Sequence, residues 1–187
     1  MPESEGAAHF NLFLLRNFLD TESCASLRAE LVLAPITKAP VYIQGTEGTI
    51  HETIRKTTSL HPARETFSRI HERLLAQKSA LEDHFSTSLT DCEPPQFLRY
   101  EKGDFFVRHQ DGNDHQNDFD HLRIRRISIV GFLSDSFTGG SLTFYDQTTT
   151  FPLMGETGLL VAFKSDIFHE VVPVTSGERF TFVSWFR

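Results

Sequence analysis

The sequence predicts a mainly β protein with packed helices, in which a sandwich or jelly roll follows a partly helical first half. Three observations carry this. From Pro95 onward the chain runs through short apolar stretches separated by turn residues, at the spacing of antiparallel strands. Phenylalanine is abundant, 18 residues against three Tyr and one Trp, which suits a β core packed with aromatics. Before Pro95, in contrast, the longest apolar pattern recurs at three and four residues, the period of one helical face.

In chain order, Phe10–Leu15 reads as a short strand. Asp20 is placed to cap a helix over Thr21–Leu33, with Glu22 at the positive end of its dipole and Pro35 beyond its end. Val41–Ile43 and Ile54–Leu60 read as strands around the turn-rich Gly45-Thr46-Glu47-Gly48. After Pro62 a helix is expected over Ala63–Phe85, with Phe67, Ile70, Leu74, Leu81 and Phe85 on one face. His71 and His84 on that helix read as rim histidines. Strands follow at Gln96–Tyr100, Phe105–Asp111, Ile127–Leu133, Ser141–Tyr145, Phe151–Leu153, Gly158–Phe163, Glu170–Val174 and Phe180–Phe186. Glu101-Lys102-Gly103-Asp104 and Gly139-Gly140 are turns. With no internal repeat or low-complexity linker, 1–187 reads as a single domain. Residues 1–94 would form a helix-and-strand support region, and 95–187 the core.

Composition narrows the function. A net charge of −7 argues against nucleic acid as the main partner, because a backbone binder needs a basic face. The local cluster Arg123, Arg125 and Arg126 remains a candidate grip for an acidic or carbonyl-rich polypeptide. Cys24 and Cys92 are far apart and lack metal-ligand spacing, so they read as reduced structural thiols of a cytoplasmic protein. Met1–Ala8 is small, polar and acidic, unlike a signal peptide, and no apolar run approaches a membrane span. Oligomeric state stays open.

The chemistry is concentrated in His109, Asp111, His169 and Arg179. Side chains two apart on a strand share a face, so His109 and Asp111 can project together while a second strand brings in His169. Two imidazoles and one carboxylate on one face of a metal, with open positions opposite, make the facial triad of non-heme Fe(II) oxygenases. Arg179 opens the last strand and would add a fixed cation. All the carriers sit at the ends of apolar runs. The polar run Gly112–Leu122, directly after Asp111, is a candidate lid.

The stretch Phe97–Arg187 resembles the Fe(II)- and 2-oxoglutarate-dependent dioxygenases of the prolyl 4-hydroxylase type. The resemblance is carried by Phe97-Leu98-Arg99-Tyr100, Phe106-x-x-His109-x-Asp111, Phe132-Leu133-Ser134 and Gly139-Gly140. It continues with Phe163 before His169, then Pro173-Val174-Thr175-Ser176-Gly177-Glu178-Arg179 and Trp185. It implies a double-stranded β-helix, a cupin-like jelly roll, with an N-terminal α/β extension. It also implies Fe(II) on His109, Asp111 and His169, with 2-oxoglutarate and O2 as cosubstrates and ascorbate as a further cofactor. Arg179 would pair with the distal carboxylate of 2-oxoglutarate, for which its rigid fork is suited. Tyr100 would help hold the cosubstrate, Leu142 would line its pocket and Trp185 would lie near the iron. Phe132 departs from relatives that carry a tyrosine there, and Thr181, on the same strand face as Arg179, would substitute for it.

The resemblance implies hydroxylation of a prolyl residue in a protein or peptide. Two other readings stay open. One is a hydroxylase of a free amino acid or another small molecule on the same core. The other is a non-catalytic cupin-like metal-binding module, against which an intact Arg179 speaks.

Overall fold

The computed structural model describes residues 2–43, 46–112 and 124–187. The first half contains α1 (Glu3–His9), β1 (Phe13–Leu15), α2 (Thr21–Leu33), β2 (Ile36–Lys38), β3 (Val41–Ile43) and β4 (Thr46–Thr49). It continues with β5 (Arg55–Lys56), β6 (Thr58–Leu60), α3 (Arg64–Leu75) and α4 (Lys78–Phe85). The second half is all strand: β7 (Gln96–Tyr100), β8 (Phe105–His109), β9 (Ile127–Phe132), β10 (Phe137–Gly139) and β11 (Leu142–Tyr145). It closes with β12 (Thr150–Leu153), β13 (Leu160–Lys164), β14 (Phe168–Val171), β15 (Val174–Gly177) and β16 (Arg179–Phe186).

Two antiparallel sheets face each other. The larger runs β1-β13-β9-β16-β7-β6-β2 and the smaller β12-β11-β14-β8-β5. The pleat of β16 shows how the layers form. Its even positions Phe180, Phe182 and Phe186 join Leu27, Leu31, Ile70, Leu74 and Leu81 in the core under the helices. Its odd positions Arg179, Val183 and Trp185 line a cavity between the sheets. Strand β7 splits the same way, with Phe97 in the helix-side core and Gln96, Leu98 and Tyr100 on the cavity. A second apolar cluster, including Val130, Phe132, Leu142, Phe144 and Phe163, fills the space between the sheets. Each fully buried Phe contributes about 1.5–3 kcal/mol, so the alternation strongly pins the register.

The α2 helix forms over the expected residues, and the Asp20 side chain caps it by accepting from Ser23 N at 2.7 Å. Elsewhere tertiary contacts redraw the expected elements. The expected Phe10–Leu15 strand is shortened to β1, because the N–H groups of Phe10, Asn11 and Leu12 close the end of α1, a helix the sequence did not signal and whose Gly6 lies directly against the Phe151 ring. The expected helix over Ala63–Phe85 is two helices, α3 and α4, and both halves keep their apolar face, Ile70 and Leu74 then Leu81 and Phe85, in the same core.

The run Ile54–Leu60 is also divided: β5 joins the small sheet and β6 the large one. Thr57 between them bonds to Arg99 O at 2.8 Å. Strand β3 pairs with β4 rather than with this run. His71 bonds to Cys92 O at 2.9 Å, and half-buried rather than free it ties α3 to the chain ahead of β7. Cys24 and Cys92 are buried free thiols. No described helix is long and apolar enough to cross a membrane. The candidate lid Gly112–Leu122, apart from Gly112, and Arg123 lie outside the described residues.

Candidate active site

Strands β8 and β14 are neighbours, and His109 stands directly opposite His169 in their register. Their ring centroids lie 4.3 Å apart. Each ring donates its Nδ1–H to the carbonyl two residues earlier, His109 to Val107 at 2.8 Å and His169 to Ile167 at 3.0 Å. A carbonyl only accepts, so these bonds set the tautomer and leave both Nε2 lone pairs for a ligand.

The strand expected to carry both His109 and Asp111 stops at His109. A turn places the aspartate instead: Asp111 N and Gly112 N both donate to Ser165 O at 3.0 Å. Its carboxylate then lies between the rings, 3.4 Å from His109 Nε2 and 3.5 Å from His169 Nε2. The three ligand atoms all fall within 4.8 Å of one another. Burial pushes the His169 imidazole down to about 4, helped by the neighbouring His109. Burial alone would raise the Asp111 carboxyl, but His169 and His109 outweigh it and hold it below the ordinary carboxylate range. Two accepting nitrogens beside one ionised carboxylate fit a divalent first-row metal.

Arg179 enters the same cavity from the large sheet. It is 1% exposed, and its guanidinium lies 5.0 Å from the ring centroids of both Tyr100 and Phe132. Its stem passes Gly140, whose φ is +61° and where a Cβ would meet Arg179 Cδ at 3.1 Å. Its one side-chain hydrogen bond among the described residues is Nη1 to Thr181 Oγ1 at 3.3 Å, and its Nε has no partner. No described carboxylate pairs with it, and neither Glu178 nor Asp166 reaches it. Burial lowers its pKa to about 10. A buried unpaired cation is costly, so this position is built for an anion that arrives from outside.

Tyr100, Leu142 and Trp185 line the cavity together with His109, Asp111, His169 and Arg179. Thr181 is fully buried but does not line it; its hydroxyl accepts from Arg179. The cavity measures about 180 Å³. Sequence reasoning missed several residues around it. Phe106 stacks on His109 with centroids 3.6 Å apart. Arg125 is not a surface grip: it makes a two-pronged pair with Glu93, at 2.8 and 2.6 Å, and stacks 3.7 Å from the Trp185 ring centroid. Only the register of Phe106, three residues before His109, offered a local signal.

Residues 95–187 match the 2OG-Fe(II) oxygenase superfamily. Over 181 residues the chain is 30% identical to a PKHD-type hydroxylase of Shewanella sp. (strain MR-7), covering 94% of this chain and 78% of that relative. The chain belongs to the 2OG-Fe(II) oxygenase superfamily. A second PKHD-type hydroxylase, from Beijerinckia indica, is 35% identical over 97 residues, 50% of this chain and 43% of its own length.

The fold of this oxygenase superposes on a crystal structure of a Pseudomonas putida prolyl-4-hydroxylase with a TM-score of 0.74, at 24% identity, over 98% of this chain and 95% of that one. It also matches a Trichoplax adhaerens prolyl hydroxylase bound to a hypoxia inducible factor peptide fragment, with a TM-score of 0.70 and 15% identity over 97% and 86% of the two chains. The jelly roll is therefore that of the 2-oxoglutarate oxygenases. Membership of this superfamily makes the chain an Fe(II)- and 2-oxoglutarate-dependent oxygenase, similar in sequence to PKHD-type hydroxylases and in fold to prolyl hydroxylases.

Proposed function

We propose that His109, Asp111 and His169 hold the Fe(II), that Arg179 receives the distal carboxylate of 2-oxoglutarate, and that the hydroxylated group is a prolyl residue of a protein or peptide. The observation that carries this reading is the buried guanidinium of Arg179, without a carboxylate partner among the described residues, in the same cavity as the triad. Bound iron supplies the coupling of 2-oxoglutarate decarboxylation to O2 activation, which yields succinate, CO2 and a hydroxylated C–H.

The chain's own residues bind and orient. The two Nδ1–H donations aim the Nε2 atoms of His109 and His169 at one point, and the turn on Ser165 holds Asp111 beside them. Arg179 fixes the far end of the dicarboxylate, with Thr181 steadying its Nη1. Tyr100, Leu142, Val130 and Trp185 form apolar wall that excludes water from the reacting carbon. The prolyl substrate is supported by the PKHD-type relatives and by the fold shared with prolyl hydroxylases, one of them carrying a peptide.

The test is succinate release with Fe(II) and 2-oxoglutarate across a panel of proline-containing peptides and free amino acids. Stimulation by peptides is the expected result. Stimulation by free amino acids alone would move the substrate to small molecules, and metal binding without any turnover would make the chain a non-catalytic module.

A further inference from the structure

Three arginines line the cavity among the described residues: Arg179, Arg125 and Arg55. Arg179 awaits the cosubstrate, and Arg125 is neutralised by Glu93. Arg55 is different. It is 9% exposed, its Nε has no hydrogen-bond partner, and among the described residues no carboxylate pairs with it. Its Nη1 donates to Pro40 O at 3.1 Å. The next residue, Lys56, points to the other face of β5 and takes Asp104 at 3.0 Å. Lys38, also outside, takes Glu52 at 2.6 Å. Exposed cations here have carboxylates, and the inward one has none among the described residues. The one described carboxylate lining the cavity is Asp111, which is committed to the triad.

We propose that Arg55 is a specificity-determining residue that receives a carboxylate of the substrate, so that this hydroxylase selects acidic peptides. The inference rests on reading the cavity as the substrate chamber. A guanidinium withheld from solvent and from protein acids gains most from an incoming carboxylate, which its planar fork can bind with two donors. Position sets the spacing. The Arg55 Cζ lies 4.8 Å from the Phe106 ring centroid, and that ring stacks on His109 at 3.6 Å. At ~3.5 Å per extended residue, this path to the triad places the acid about two residues away from the hydroxylated proline. A carboxylate from a side chain and one from a chain end are chemically equivalent for Arg55.

The experiment uses blocked peptides with one proline and a single glutamate or glutamine placed one, two or three residues away on either side. Two further probes are a neutral peptide with a free C-terminal carboxylate and L-proline. Binding is read from the fluorescence of Trp185, the chain's single tryptophan, which lines the cavity, and turnover from succinate. The glutamate peptide at the two-residue spacing is expected to bind about ten-fold or more tightly than its glutamine twin. Arg55→Gln should abolish that preference and Arg55→Lys should keep part of it, with the KM for 2-oxoglutarate unchanged in both.

A preference confined to the free C-terminal carboxylate, and lost in Arg55→Gln, would also support the proposal and assign Arg55 to a chain end. Equal binding of the twins by the unmodified protein overturns the proposal, and that comparison needs no variant. A preference that survives Arg55→Gln overturns it too. Arg55-dependent binding without succinate release would sink the prolyl reading while leaving Arg55 as the carboxylate receiver, and binding of no probe would overturn both.

Discussion

Arg179 and Tyr100 stand directly opposite each other on β16 and β7, and the guanidinium lies 5.0 Å from the Tyr100 ring centroid. An aromatic face can soften the cost of a buried cation without neutralising it. The pair therefore holds a buried positive charge in the cavity that His109, Asp111 and His169 also line.

Arg179→Ala is expected to raise the KM for 2-oxoglutarate by tens to thousands of times, matching a loss of about 2–5 kcal/mol for truncating one partner of a buried charge pair. Iron content, measured on the same preparation, should stay close to that of the unmodified protein. Arg179→Lys should recover part of the affinity. An unchanged dependence on 2-oxoglutarate in Arg179→Ala would mean that another cation holds the cosubstrate.

Asp111 supplies the only carboxylate of the triad. Asp111→Ala should remove most metal binding and all succinate production, while secondary structure by circular dichroism is retained, because β8 ends before the residue. Metal titration followed by Co(II) absorption is the direct readout. Full occupancy in this variant would contradict the ligand assignment.

The Arg125–Glu93 pair is buried, with side chains 8% and 10% exposed. Glu93→Ala would leave Arg125 charged and unpaired against Trp185, and should cost about 3–5 kcal/mol in urea unfolding. Trp185 emission should shift at the same time, since Arg125 lies 3.7 Å from its ring centroid. Arg187 loses the same partner, so a loss of under about 1 kcal/mol would show that Glu93 contributes no more than an exposed ion pair does.

An alkaline limb of stability should trace to Cys92. Burial pushes its thiol from 9.0 up to about 11, and the Ser184 hydroxyl beside it already donates to Glu93 O. Between these two pH values the unfolded chain has released the proton and the folded chain still holds it. The contribution is thus fully present below about pH 9 and is lost as pH rises toward 11, by about 3 kcal/mol at most. Unfolding free energies from pH 8 to 11 under reducing conditions should fall more steeply for the unmodified protein than for Cys92→Ala. Parallel slopes would assign the limb to other groups.

Much of the architecture was legible because it is written in local periodicity. The Asp20 cap, the helix it starts, and the two-residue alternation of β7 and β16 depend on backbone geometry and on which side chains shun water. Identifying His109, Asp111 and His169 as a set also needed only residue type and strand-edge position.

What local pattern could not decide is contact between segments distant in the chain. Strand pairing sets His109 opposite His169, and a turn on Ser165, not continuation of the strand, delivers Asp111. The α1 helix exists where Gly6 and Ala7 meet β12, and the run Ile54–Leu60 is divided because its two halves are bonded to different sheets. Pairing within the folded chain likewise determined which cations are satisfied: Arg125 found Glu93, while Arg179 and Arg55 face the cavity with no carboxylate partner among the described residues. The sequence by itself determined most strands of the second half, the helix faces and the residue types of the candidate site, because these follow from the period of the chain and the chemistry of each side chain. The tertiary structure alone decided register, burial and the identity of each charge's partner, because those depend on which distant segments share a dry interior.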